Sequence, residues 1–203
     1  MSFYYFPRLI IPKCNHKLFE EIAFSNPGYY QMNLIDEQLE IIVSPIDNKT
    51  SQKKAEIIRQ VVNWCNANEN LIGHYSSSRG VYTLSNGNML GSDTSVVLCT
   101  RWNALSNDEK KKAFPQVSPN FIVELHSGIN SLQYVHKKME QWIKGGVDEG
   151  ILIDSISNPS TVRMYTCDNT NSNIVIWQEF VNPQIIASQI LPGFVMDIQE
   201  ILQ

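Results

Sequence analysis

Apolar residues recur along this chain in two rhythms. One is helical. Within 51–66, Ala55, Ile58, Val62 and Cys65 keep the i, i+3, i+7, i+10 spacing of a buried face, widened by Ile57, Val61 and Trp64. Within 132–144, Leu132, Val135, Met139, Trp142 and Ile143 share a second such face, and Gly145-Gly146 closes it as glycine closes helices. Residues 17–24 read as a shorter helix stopped by Asn26-Pro27-Gly28. The charged stretch 103–113 reads as a surface helix with Ser106 as N-cap and Asp108 and Glu109 in its first turn. The other rhythm belongs to strands. It predicts 29–34 and 39–43, joined at Asp36-Glu37, then 71–75, 81–84, 89–99, 121–126, 150–154, 161–166 and 173–177. Asn86-Gly87 predicts a type I′ hairpin ahead of 89–99. Pro192-Gly193 precedes a short last element.

The order is helix, several strands, helix, more strands, with a strand–helix–strand unit over 121–154. The first strand of that unit is apolar on both faces, as in a sheet covered on both sides. The pattern predicts an α/β fold, a central mixed sheet flanked by helices. The 203 residues suit a single domain. Residues 1–28 are expected as an N-terminal arm with its short helix, and 29–203 as the domain proper.

Composition narrows the class. Hydrophobic residues are 43% and charged residues 18%, which marks a globular chain and not a disordered one. The net charge of −4 excludes a global basic field for nucleic acid, so any phosphate must meet a local patch. Lys53-Lys54, Arg79, Lys110-Lys111-Lys112 and Lys137-Lys138 are the candidates. The four cysteines are scattered without a C-x-x-C pair, which reads as free thiols in a reducing compartment. No signal peptide and no apolar run of membrane length is seen, so a cytoplasmic protein without a membrane partner is expected.

The chemistry concentrates in Phe121-Ile122-Val123-Glu124-Leu125-His126-Ser127. A carboxylate inside an apolar strand costs several kcal/mol, on the order of a lost ion pair, unless something pairs with it or a metal binds it. Strand alternation puts Glu124 and His126 on one face. A lone Glu near a strand end would read as solvated. Here Asp93 opens a second apolar strand after Gly91-Ser92, and the coincidence favours a site. Lys138 flanks the apolar face of its helix and can lay its stem along the core; Lys137 points nearly opposite and reads as a solvated charge. Two neighbouring carboxylates suit magnesium, which accepts one or two of them and keeps several waters. With a lysine beside them, the set predicts metal-assisted phosphodiester hydrolysis.

Over 86–154, the run SNGNMLGSDTSVVLCTRWNALS…PNFIVELHSGINSLQYVHKKMEQWIKGGVDEGILID resembles the Uma-type restriction endonucleases, a branch of the PD-(D/E)xK nuclease superfamily. The resemblance extends over roughly 29–191. It implies a restriction endonuclease-like fold, a DNA partner and Mg²⁺ as cofactor, with Mn²⁺ as a substitute. It also implies Asp93 and Glu124 as metal ligands, Lys138 as the residue that orients or activates the attacking water, and His126 as an assistant at the place of the superfamily lysine. The motif is not intact. Ser92 stands where the family has proline, Asn120 where it has an acid after Pro119, Asn33 where an early acid is common and Glu37 where glycine is common.

Other polar residues carry less. Glu56 is a candidate extra ligand, but its place in the middle of the polar face reads first as a solvated Glu. His16, His74 and His136 lack metal-motif spacing. Ser76-Ser77-Ser78 reads as a polar loop ahead of a phosphate cradle. Trp102, beside Arg101, is a candidate base-stacking residue, and the other tryptophans read as packing. The expectation is a Mg²⁺-dependent DNA endonuclease, as a homodimer because a duplex has two strands to cut. The competing expectation is an inactive descendant that binds nucleic acid or protein.

Overall fold

A computed structural model of the chain describes residues 8–26, 30–42, 47–78, 80–128, 130–168, 170–171 and 174–203. In chain order the elements are β1 (Arg8–Ile11), α1 (His16–Ser25), β2 (Gln31–Ile35), β3 (Gln38–Ile42), α2 (Asn48–Ala67), β4 (Ile72–Ser76), β5 (Val81–Thr83), β6 (Met89–Gly91), β7 (Thr94–Leu98), α3 (Cys99–Asn103) and α4 (Asn107–Lys110). Then come β8 (Phe121–His126), α5 (Leu132–Lys144), β9 (Glu149–Asp154), β10 (Thr161–Cys167), β11 (Val175–Val181), β12 (Ile185–Ala187), β13 (Val195–Asp197) and α6 (Ile198–Leu202). The fold is α/β, as expected. Expected residues 27–29, 43–45, 79 and 173 lie outside the described ones, Arg79 of the basic-patch candidates among them.

The larger sheet has six strands in the order β11-β10-β9-β8-β7-β4. It is mixed: β8 and β9 are parallel and joined by α5, while its other neighbours are antiparallel. Helices cover both faces. On one side Ile57, Val61, Trp64 and Cys65 of α2 pack with α6 and the β12–β13 hairpin against Phe121, Val123 and Leu125. On the other, Val135, Met139, Trp142 and Ile143 of α5 meet Ile122 and Leu152. Each such fully buried side chain contributes roughly 1.5–3 kcal/mol. A Cβ on Gly150 would lie 2.6 Å from Cε of Met139, so this glycine lets α5 seat on β9. Ser131 caps α5 by accepting from Tyr134 N, and Gly145 and Gly146 end it.

The chain also builds a second sheet, β1-β3-β2-β6-β5. One of its faces packs on α1 around Phe19, Met32, Leu34, Leu39 and Met89. Residues 8–26, read from sequence as arm and helix, are thus part of this layer: β1 pairs with β3 and Phe19 is buried. The single strand expected over 89–99 is in fact two. β6 ends at Gly91 in the smaller sheet, and β7 begins at Thr94 in the larger one. Ser92 and Asp93 are the crossing.

Two local expectations are corrected. The surface helix expected over 103–113 is only Asn107–Lys110, with Ser106 accepting from Glu109 N as its cap; Cys99–Asn103 forms a separate turn of helix. The hairpin at Asn86-Gly87 exists, but only Gly87 has a positive φ (85°), whereas type I′ needs it at both central residues. A Gly87 N–H to Leu84 C=O bond closes the turn, with glycine in the left-handed position.

Candidate active site

The site is built at the seam between the sheets. β8 alternates, so Phe121, Val123 and Leu125 enter the α2 core while Ile122, Glu124 and His126 face α5. Lys138 and Trp142, one turn apart on α5, both reach Glu124. The Lys138 ammonium lies 2.6 Å from Oε1, and the Trp142 Nε1–H donates to the same oxygen at 3.1 Å. Lys138 also donates to the Gly91 carbonyl at 2.6 Å, tying α5 to the end of β6. Lys138 is only 4% exposed, and these partners hold its ammonium in place.

Asp93 is held from three directions. Its N–H donates to Val123 C=O at 3.1 Å, its Oδ2 accepts from Leu125 N at 2.8 Å, and its Oδ1 lies 2.7 Å from the Lys54 ammonium. The paired register of β7 with β8 ends at Thr94↔Val123. The Asp93 carboxylate therefore serves as acceptor for a β8 N–H beyond that register. Burial pushes the Glu124 carboxyl above its ordinary value, Lys138 opposes this, and the nearby Asp93 charge adds to it. The two acids are thus close enough to feel each other.

Asp93, Glu124, His126, Lys138 and Lys54 line one cavity of about 440 Å³. The sequence marks Lys54 only as part of a phosphate-patch candidate. It lies in a charged run with Lys53 and Glu56, and no periodicity marks it as the residue that reaches Asp93. His126 has both ring nitrogens engaged, Nδ1 with Asp154 at 2.8 Å and Nε2 with the Asn130 carbonyl at 2.9 Å. Both ring nitrogens face oxygen partners, which fixes the orientation of the ring. Burial would raise Asp154, but bonds from His126, Ser157 and the Ile156 and Ser157 N–H groups outweigh it and hold the acid well below the usual range.

Residues left outside the site are equally plain. Glu56 binds Arg59 and Gln60 and lines a separate hollow with Lys53 and Glu200. Trp102 stacks on His74 at 4.6 Å, and Arg101 is spent on three carbonyls and Asp148. His136 bonds to the Tyr165 hydroxyl, and Lys112 pairs with Glu109. Asn33 is fully buried; its Oδ1 accepts from Gly91 N while its Nδ2 has no partner among the described residues.

The donor set fits magnesium. No group of three or more His, Cys, Asp or Glu side chains is gathered among the described residues. A pair of carboxylates is too few for a structural zinc site, but it is what magnesium accepts alongside water. Lys54 and Lys138 now neutralise that pair.

Mixed sheet, crossover helix and seam together make a fold of the restriction endonuclease-like class, and solved structures agree. A crystal structure described as a "putative nuclease belonging to DUF820" from Anabaena variabilis matches with a TM-score of 0.66 at 17% identity, covering 84% of this chain and 89% of that one. The chain belongs to the Uma2 family, whose model carries the description "Putative restriction endonuclease" and matches residues 18–199. No curated protein matches. Among the described residues no helix is long and apolar enough to cross a membrane.

Proposed function

We propose that this protein is a Mg²⁺-dependent endonuclease that hydrolyses DNA phosphodiester bonds, with Mn²⁺ able to replace Mg²⁺. The observation that carries the reading is the meeting of Asp93 and Glu124, each with its own lysine, on one cavity. The two carboxylates would hold the ion. Bound magnesium supplies a Lewis acid and a more readily ionised water. The chain does the rest. Lys54 and Lys138 set positive charge against the phosphoryl oxygens as the water oxygen bonds to phosphorus and the bridging P–O bond breaks. Lys138 is the one beside Glu124 and is assigned to orient the water. His126, with both nitrogens engaged, is assigned a positioning role: it holds the end of β8 to Asp154 and to the Asn130 carbonyl. Both strands of a duplex call for two sites, so the working unit in this reading is a homodimer.

The test is cleavage of plasmid and linear DNA with Mg²⁺ or Mn²⁺, beside Asp93→Ala and Glu124→Gln. Metal-dependent cleavage by the parent and its loss in both variants is expected. Cleavage that survives both substitutions overturns the assignment.

One observation favours a second reading, an inactive binding module. Both oxygens of Asp93 are already engaged, by Lys54 and Leu125 N. Thermal stability with added Mn²⁺ separates the readings, because a ligand that binds only the folded state raises it. A Glu124-dependent rise supports the enzyme, and none at any metal concentration supports the module.

A further inference from the structure

The larger sheet ends differently at its two edges. At β4 the register with β7 shifts between Ile72 and His74, and Trp102 stacks on His74, so that edge is bulged and partly covered. Bulges and cover are the usual protections of a sheet edge. β11 has neither. Its seven residues pair with β10 in unbroken register from Val175 to Val181, and no described strand pairs with its outer side. Its sequence, VIWQEFV, contains no lysine or proline and one acid. Ile176, Trp177 and Val181 are 45%, 46% and 60% exposed.

The two ends of the strand are apolar on either side of Gln178. We infer that β11 is the contact through which two copies of this chain join, edge to edge and antiparallel, with the two-fold axis at Gln178. That register sets Val175 against Val181, Ile176 against Phe180, and Gln178 against its own copy, so apolar meets apolar at both ends. Trp177 then faces Glu179 of the second copy. Within one copy, Arg163 bonds Glu179 at 2.7 Å and lies 4.9 Å over the Trp177 ring. Two Arg163 and two Glu179 therefore alternate around the axis, and no like charges sit directly opposite. A one-residue slip would break each of these matches at once. The unpaired N–H and C=O groups of β11 gain partners, and the two six-stranded sheets become one. The smaller sheet's β1 is a poorer seam: it has four residues and opens with Arg8, which pairs with Glu40.

This names the surface of the homodimer included above, and it stands or falls apart from the chemistry. The mass of the particle reads the interface, and cleavage reads Asp93 and Glu124. The experiment is light scattering coupled to size exclusion on the full chain, with Val181→Lys on this edge and Tyr75→Lys on the opposite one. The expected result is a particle of twice the chain mass, halved by Val181→Lys and unchanged by Tyr75→Lys. Gln178→Cys gives a register test that leaves the fold alone, since the position is exposed. Under oxidation it should form a covalent dimer that the parent protein, with its own four cysteines, does not. A monomer at every concentration, a dimer that answers to Tyr75→Lys instead, or a Gln178→Cys variant that stays uncrosslinked while dimeric would overturn the inference.

Discussion

The Lys54 ammonium lies 2.7 Å from Oδ1 of Asp93, on the side of the carboxylate that the Leu125 N–H leaves open. A cation that binds Asp93 must compete with this lysine. In Lys54→Met the competitor is gone, so Mn²⁺ affinity by calorimetry should rise about tenfold, the equivalent of about 1.4 kcal/mol. Cleavage should fall, because a charge facing the phosphoryl group is lost. Without metal, the same variant strands a buried carboxylate and should lose about 3 kcal/mol in denaturant melts.

Trp142 gives the second prediction. Its N–H supports the ionised form of Glu124, whose carboxyl burial has pushed up. Trp142→Phe keeps an aromatic ring, though a smaller one, and removes the donor, so the Glu124 pKa rises further. A metal needs the carboxylate. The pH at which Mn²⁺ half-saturates the site should therefore move upward, and an unmoved profile would separate Trp142 from the site's electrostatics.

Much of this site was legible in the residues. Glu124 stood out because a charge in an apolar strand needs a partner, and helix geometry ranked Lys138 above Lys137. In the structure Lys138 is buried against Glu124 while Lys137 is exposed. Other features left no trace. The run from Met89 to Leu98 passes from one sheet to the other without changing its apolar character, so it read as one strand. Lys54 looked like any lysine in a charged helix. The helix expected over 103–113 is only Asn107–Lys110, because charge and a good cap at Ser106 mark where a helix starts and neither says how far tertiary contacts carry it.

Asp154 should stabilise the fold at neutral pH and cease to do so in acid. Its carboxyl is held low by its hydrogen bonds, so its contribution is fully present above the ordinary aspartate value of about 4 and is lost as pH falls below it. Asp154→Ala should cost about 3 kcal/mol at neutral pH, as a broken buried pair does. The parent and variant unfolding curves should converge as pH drops below about 4.

Glu149 runs the opposite way. It is fully buried, Oε1 has no partner among the described residues, and burial lifts its carboxyl against bonds from Ser188 and the Gln189 N–H. A raised acid penalises the folded state increasingly as pH climbs past about 4.3, the ordinary glutamate value. Glu149→Gln should melt about 3 °C higher than the parent at pH 7. The gap should close as the buffer approaches pH 4, roughly the ordinary glutamate value; a variant that melts lower at neutral pH would show that the charge is satisfied.

Asp93 belongs to neither sheet; it is borne on the short bridge where the backbone leaves one for the other. The spacing between the two acids is therefore a property of how the layers lean on each other. Loosening the Phe19–Phe114 contact of the smaller layer, whose ring centroids are 5.4 Å apart, would shift the distance between the two acids without altering either acid or its lysine.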